Sequence, residues 1–262
     1  MQTNVNGVNL FYESAGEGSP AIVFVHGLGG TSNVWHAART TLSRFHRVVT
    51  YDLSGSGRSD RSPREYSIEG WVEDLSGLLD ELNIPAAVIV GHSMGTVIVQ
   101  QFAARYPQKT TALVLAGALT ELGPPGKEAF TSRAEAVEKE GMIAIADTVL
   151  GGALSPGTRE RNLALSGLVR EVLLSNDPAC YAGHCRALMK GSARSAQEKI
   201  TAPTLLVVGD QDPVTPLSLQ KQVASAIKNT QIRVIPNTAH MTMLETPEAF
   251  LVAVLEFLAG LP

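Results

Sequence analysis

Cysteine is nearly absent: the 262 residues hold only Cys180 and Cys185, both in the segment CYAGHC. That excludes a disulfide scaffold. With only His184 between them, the pair offers too few ligands, at the wrong spacing, for a structural zinc site. On an amphipathic helix such thiols act as small apolar fillers, which suits reduced, cytoplasmic surroundings. An excess of basic charge is also missing. The 21 Lys and Arg are scattered and outnumbered by 25 Asp and Glu, so no nucleic-acid footprint is expected. No apolar run approaches the roughly 18 residues of a membrane span. The start, MQTNVNGVNLFYESAGEG, has neither the basic opening nor the apolar stretch of a signal peptide. These absences predict a soluble cytoplasmic protein without nucleic-acid or membrane partners, a monomer or small homo-oligomer.

What is present is an alternation of short apolar strands and amphipathic helices. Val8–Ser14, AIVFVH (21–26), RVVTYD ending at Asp52, AAVIVG ending at Gly91, TALVLAG (111–117), PTLLVVG (203–209) and QIRVI (231–235) read as strands. Helices are expected near Val34 to Phe45 and over Ser67 to Leu82, where Ser67 is a plausible N-cap. Two more are TVIVQQFAARY, stopped by Pro107, and the stretch from about Pro247 to Leu258. Strands alternating with helices indicate an α/β fold with a mainly parallel sheet covered on both faces. From about Leu119 to Lys199 the alternation stops and only helical patterns remain. We read 1–118 with 200–262 as the core domain and 119–199 as a helical lid over the strand ends, where open α/β sheets bind ligands.

The strongest motif is Gly91-His92-Ser93-Met94-Gly95, a G-x-S-x-G between a strand and a helix. The turn is too tight for side chains at its flanks, and it lifts the serine hydroxyl above the sheet at a helix N-terminus. Serine needs a base, and the base needs an orienting acid, in the order Ser, acid, His. His240, in PNTAHMTMLETPEAF, follows the last strand and lies at the same edge as Ser93. GDQDPVTP offers Asp210 and Asp212. Asp212, deeper in the loop and beside Pro213, is preferred as the acid; Asp210 is assigned to closing the turn, and Glu121 is the reserve. Backbone donors for an oxyanion are expected from Met94 and from Leu28 in HGLGG, a loop that His26 braces.

Gly27-x-Gly29 with Asp52 after the next strand also resembles a dinucleotide fingerprint. Ser32 stands where the third glycine belongs, and that reading leaves the serine turn without a role. Asp52, Arg58 and Asp60 are therefore read as turn and ion-pair residues. Candidate substrate contacts are Trp35, His92, Met142, Leu150 and Met189, with Leu154, Leu174 and Leu188 as further lid positions.

In this order HGLGG, YDLSGSGRSD, GHSMG, GDQDPVTP and NTAH resemble the α/β-hydrolase superfamily over essentially the whole chain. The chain looks like its compact members with a four-helix lid: small carboxylesterases, 3-oxoadipate enol-lactonase-like enzymes and acyl-homoserine-lactone lactonases. The resemblance implies an eight-stranded sheet with the lid inserted after the sixth strand. It also implies a triad of Ser93, Asp212 and His240, no cofactor and no metal. Dehalogenases and epoxide hydrolases of this fold carry aspartate where Ser93 stands, and proline iminopeptidases carry tryptophan where Met94 stands. The His26-Gly27 pair weighs against the enol-lactonase branch, and the Ser-Met pair leaves perhydrolysis open as a side activity. The expected function is hydrolysis of a small carboxylic ester, with a lactone as the alternative substrate. A receptor of this fold with slow turnover is the reading from another class.

Overall fold

The computed structural model describes residues 1–261. Eight strands form one sheet: β1 (Gln2–Val5), β2 (Val8–Ala15), β3 (Ala21–Val25), β4 (Val48–Tyr51), β5 (Ala87–His92), β6 (Thr110–Ala116), β7 (Thr204–Gly209) and β8 (Thr230–Ile235). Their spatial order is β1-β2-β4-β3-β5-β6-β7-β8. The pairs β1–β2 and β2–β4 are antiparallel and all others are parallel. The helices are α1 (His36–Leu42), α2 (Ile68–Glu81), α3 (Met94–Arg105), α4 (Pro124–Glu140), α5 (Ala146–Ala153) and α6 (Pro156–Arg161). They continue with α7 (Leu163–Leu174), α8 (Pro178–Lys190), α9 (Arg194–Gln197), α10 (Leu217–Ala226), α11 (Thr242–Glu245) and α12 (Pro247–Ala259). No helix among the described residues is long and apolar enough to cross a membrane.

The central strands are apolar along most of their length because both their faces are covered. Side chains alternate between two cores. Val23, Val25, Ile89, Leu113 and Leu115 pack with Trp71, Leu75, Val97 and Phe102 of α2 and α3. Ile22, Phe24, Val88, Val90 and Val114 face the other way, toward Ala38 and Leu42 of α1 and Phe250 and Val254 of α12. Each fully buried Val, Leu, Ile or Phe contributes roughly 1.5–3 kcal/mol, so these two layers outweigh any local preference in fixing the sheet. Local signals agree with them. The Ser67 hydroxyl accepts from the Gly70 N–H at 3.0 Å and starts α2, and Pro107 follows the end of α3.

Two elements escape the sequence reading. Strand β1, QTNV, is polar and lies at the sheet edge, held by its ladder to β2 rather than by burial. Helix α10 follows the loop that carries Asp212. Between β6 and β7 the chain is helical, with four helices of eight residues or more (α4, α5, α7, α8) and the short α6 and α9.

The parallel strands place one end of each at a common edge. The loops after β3, β5, β6, β7 and β8 emerge side by side there, because these five strands are neighbours in the sheet.

Candidate active site

Ser93 sits between β5 and α3 with φ 52° and ψ −120°, a left-handed conformation that costs a residue with a Cβ of order 1–3 kcal/mol. The surroundings enforce it. A Cβ on Gly91 would lie 2.7 Å from the Gly95 carbonyl oxygen, and one on Gly95 would lie 2.7 Å from the carbonyl oxygens of Val25 and His26. The Ser93 N–H donates to the Ala116 carbonyl at 3.0 Å, tying the turn to β6.

His240 follows β8 and is buried to 7% exposure. Its Nδ1 lies 2.9 Å from Asp212 Oδ2. Asp212, in the loop after β7, also accepts from the Val214 and Thr215 N–H groups at 2.8 and 2.9 Å and from the Thr215 hydroxyl at 2.7 Å. Burial alone would raise the pKa of this carboxyl. The facing His240 and the hydrogen bonds from His240 and Thr215 outweigh it and bring the pKa down to about 2. An ionised Asp212 fixes the Nδ1–H tautomer and leaves Nε2 as the basic nitrogen. Ser93 and His240 line the same cavity, and no hydrogen bond joins Ser93 Oγ to Nε2 among the described residues. Such contacts commonly tighten only when substrate is bound.

The loop after β3 closes over the serine turn. A Cβ on Gly27 would come within 3.0 Å of the Ser93 Cβ. Among the described residues the Leu28 N–H has no acceptor, and Met94 opens α3, where helix N–H groups are unpaired by geometry. The Met94 side chain itself is fully buried in the core, so only its backbone can serve a ligand. His26 braces this loop: its Nε2 accepts from the Leu53 N–H at 3.0 Å and its Nδ1–H donates to the Gly27 carbonyl at 2.8 Å. Burial lowers its pKa and keeps it neutral. Asp52, the acid of the dinucleotide reading, accepts instead from the Ser32 and Arg58 N–H groups at 2.6 and 2.9 Å and anchors the same loop.

A model of the alpha/beta hydrolase family matches residues 22–254. The chain belongs to that family. 3-Oxoadipate enol-lactonase 1 of Acinetobacter baylyi is 33% identical over 256 residues, 96% of this chain and 93% of that protein. The enol-lactonase of Burkholderia xenovorans LB400 superposes with a TM-score of 0.94 at 30% identity, covering 99% of this chain and 100% of that one. A thermophilic esterase of Thermogutta terrifontis gives a TM-score of 0.92 at 27% identity, covering 99% and 97%. This likeness to enol-lactonases runs against the expectation drawn from the His26-Gly27 pair.

The cavity above Ser93 measures about 370 Å³ and is walled by the β3 loop, by the His240 loop and by helices of the insertion. His92 and Leu28 line it, as does Leu188. His92 is also a brace. Its Nε2–H donates to the His240 carbonyl at 3.2 Å, and burial, with His240 nearby, lowers its pKa to about 3. Trp35, Met142, Leu150 and Met189, expected to touch substrate, do not line the cavity, and neither do Leu154 and Leu174. Trp35 is fully buried, its ring 4.8 Å from that of Phe24 and 6.0 Å from that of Phe250. Met142 belongs to the small core between α4 and α8, and Leu150 packs with Leu154 and Val169. Met189 accepts from the Thr131 hydroxyl on the far side of α8. Within the insertion an apolar residue can pack against a neighbouring helix instead of the cavity, as Met142 and Leu150 do, so apolar spacing alone does not mark the wall. The wall is built by neighbours such as Val149, Val172 and Leu173.

Four residues of the site have no counterpart in the sequence reading. Gly117 directly follows β6, and a Cβ there would lie 2.9 Å from His240 Cε1, so the ring rests on bare backbone. Thr215 holds Asp212. Arg133, on α4, is the one Lys or Arg in the cavity wall among the described residues. Glu245 receives the Ala239 N–H at 2.9 Å beside His240, and also the Ser155 N–H and the Thr158 hydroxyl at 3.1 and 2.7 Å. It thereby latches the α5–α6 junction to the histidine loop. Of the other acids, Asp210 accepts from the Thr238 N–H and closes its turn, and Glu121 pairs with Arg194. His184 donates to the Ser54 carbonyl at 3.1 Å, packed between Tyr66 and Trp71.

Proposed function

We propose that the protein hydrolyses a small carboxylic ester through an acyl-enzyme on Ser93, His240 and Asp212. The observation that carries this is the buried Asp212–His240 pair, opening onto the cavity that holds Ser93 on its strained turn. Ser93 Oγ attacks the acyl carbon as His240 Nε2 takes its proton. The Leu28 and Met94 N–H groups hold the oxyanion, each worth about 10²–10³ in kcat by analogy with other hydrolases. The alcohol departs with the proton from His240. Water then attacks the acyl-enzyme by the same route and releases the acid and Ser93. In this reading residues 119–199 are a lid on a core of 1–118 and 200–262, and no cofactor or metal takes part.

A lactone is the second reading, supported by the enol-lactonase relatives; the chemistry is the same with the alcohol tethered to the acid. Acid release from open-chain esters of increasing acyl length and from lactones, followed by pH-stat, separates the two. Ser93→Ala is expected to remove turnover of both while keeping the fold by circular dichroism. Equal rates in wild type and variant would overturn the proposal.

A further inference from the structure

The Leu28 N–H is one half of a peptide unit whose other half is the Gly27 carbonyl. In a planar trans peptide the two point in opposite directions, so whatever holds the carbonyl also aims the N–H. The Gly27 carbonyl accepts from two donors, the His26 Nδ1–H at 2.8 Å and the Gly30 N–H at 3.1 Å. The Leu28 N–H faces the other way without an acceptor among the described residues, and Leu28 lines the cavity beside Ser93.

Gly30 is held by the same logic one step back. Its N–H shares a peptide unit with the Gly29 carbonyl, and that carbonyl accepts from Asn176 Nδ2 at 3.0 Å. Asn176 is buried in the turn between α7 and α8 and does not line the cavity. Its NH₂ also meets the carbonyls of Val172 and Leu173 at the end of α7, at 2.9 and 3.0 Å. All three partners are acceptors, so the end of the amide that faces them is the donor. The fit around this bond is close. Gly29 has φ 71°, and a Cβ on it would sit 2.9 Å from Leu173 Cδ1 and from Tyr181 Cε2. The insertion therefore packs on the loop at the point where Asn176 donates. Two peptide units run head to tail from Asn176, first Gly29–Gly30 and then Gly27–Leu28. Donation at the start of such a chain polarises each link and restrains the next.

We propose that Asn176 is a positioning residue of the oxyanion hole: acting through the Gly29–Gly30 peptide, it aims and polarises the Leu28 N–H. The inference rests on the ester-hydrolase reading for what that N–H holds, and on the hydrogen-bond chain alone for how it is aimed. A donor set in advance needs no reorganisation as negative charge develops on the acyl oxygen. That charge belongs to the transition state and not to the bound ester, so losing the chain lowers kcat and leaves KM nearly alone.

The test compares wild type, Asn176→Ala and Asn176→Ser on p-nitrophenyl butanoate. Serine still bonds back to the α7 carbonyls three and four residues earlier but is too short to reach Gly29, so it separates the helix end from the chain. Both variants are expected to lose about 10-fold in kcat, less than the roughly 10²–10³ of losing a donor outright, with KM little changed. Asn176→Ser is expected to regain the melting temperature that Asn176→Ala loses, without regaining the rate. A second readout needs no substrate. The amide nitrogen resonances of Gly30 and Leu28 report donation to the carbonyls of their own peptides. Both are expected to move in the two variants, while that of Leu78, on α2, stays. Wild-type kcat in Asn176→Ser, a loss confined to KM, or unmoved Gly30 and Leu28 resonances overturns the proposal. If wild type turns over no ester, the hydrolase reading fails, and the resonances alone decide whether Asn176 sets the Leu28 peptide.

Discussion

At the scale of single residues, the site is a set of hydrogen bonds that hold one imidazole in one tautomer. Asp212→Asn keeps the shape and loses this control, because the amide can present its NH₂ to Nδ1. A fall in kcat of about 10⁴ is expected, by analogy with the same change in serine proteases, and is read from steady-state rates at neutral pH. The same carboxylate links stability to pH. Its folded pKa of about 2 lies below the ordinary carboxylate value near 4, so the unfolded chain takes up its proton first as pH falls. Its contribution is complete above about pH 4 and is lost toward about pH 2. Denaturant midpoints from pH 5 down to pH 3 should therefore fall more steeply for wild type than for Asp212→Asn; parallel curves would show the shift to be absent.

Which residues were legible in the sequence follows from how each one works. Ser93, Asp212 and His240 stand shortly after the ends of strands, so strand position and chemical type together locate them as candidates. Gly117 acts by lacking a side chain beneath the His240 ring, and Thr215 by donating to Asp212. Neither has a pattern of its own. Trp35 misleads for the opposite reason: its nearness to the oxyanion loop in sequence suggests a ligand contact, while its stacking on Phe24 and Phe250 turns it into core.

At the scale of elements, the sheet was readable and the cavity wall was not. The central strands announce themselves as continuous apolar runs because they are buried on both faces. Strand β1 is polar and edge-bound, and only its partner β2 makes it a strand. In the insertion, which face of α5 or α7 meets the cavity depends on how the helices dock, a tertiary fact that spacing does not encode. The latch at Glu245 belongs to this scale, since it joins α11, the histidine loop and the α5–α6 junction. In Glu245→Gln one oxygen becomes a donor and opposes an N–H of Ala239 or Ser155, at about 1–3 kcal/mol. The expected result is a lower kcat and raised KM together, with Glu245→Asp recovering part of the loss. A drop in melting temperature with kinetics intact would make the residue purely structural.

At the scale of the whole molecule, two cores on either side of one sheet bind the strand ends into a single rigid edge. The insertion has its own small core, in which Cys185 packs with Ala134, Val137 and Tyr181, while Cys180 is also buried. Burial raises both thiols, that of Cys185 to about 12, and suppresses the reactive thiolate. A thiol reagent at pH 8 is therefore expected to label native protein slowly and at the rate at which the insertion opens. Rapid labelling of native protein would show that the α4–α8 packing is looser than described.

The contacts between the α5–α6 junction and the histidine loop also constrain timing. Besides the Glu245 bonds, the Met241 N–H donates to the Ala153 carbonyl at 3.0 Å, and both residues line the cavity. Lifting α5 and α6 off the cavity breaks the Met241–Ala153 bond next to His240 and strips Ser155 and Thr158 from Glu245, the residue that holds the Ala239 N–H on the other side of His240. If His240 is the base of the proposed mechanism, the insertion and the base form an interlock: the imidazole loop keeps all of these contacts only while the cavity is covered. Under the proposed mechanism, water reaching an opened site would meet a slackened base, and an acyl group on Ser93 would be open to efficient attack only in the closed state.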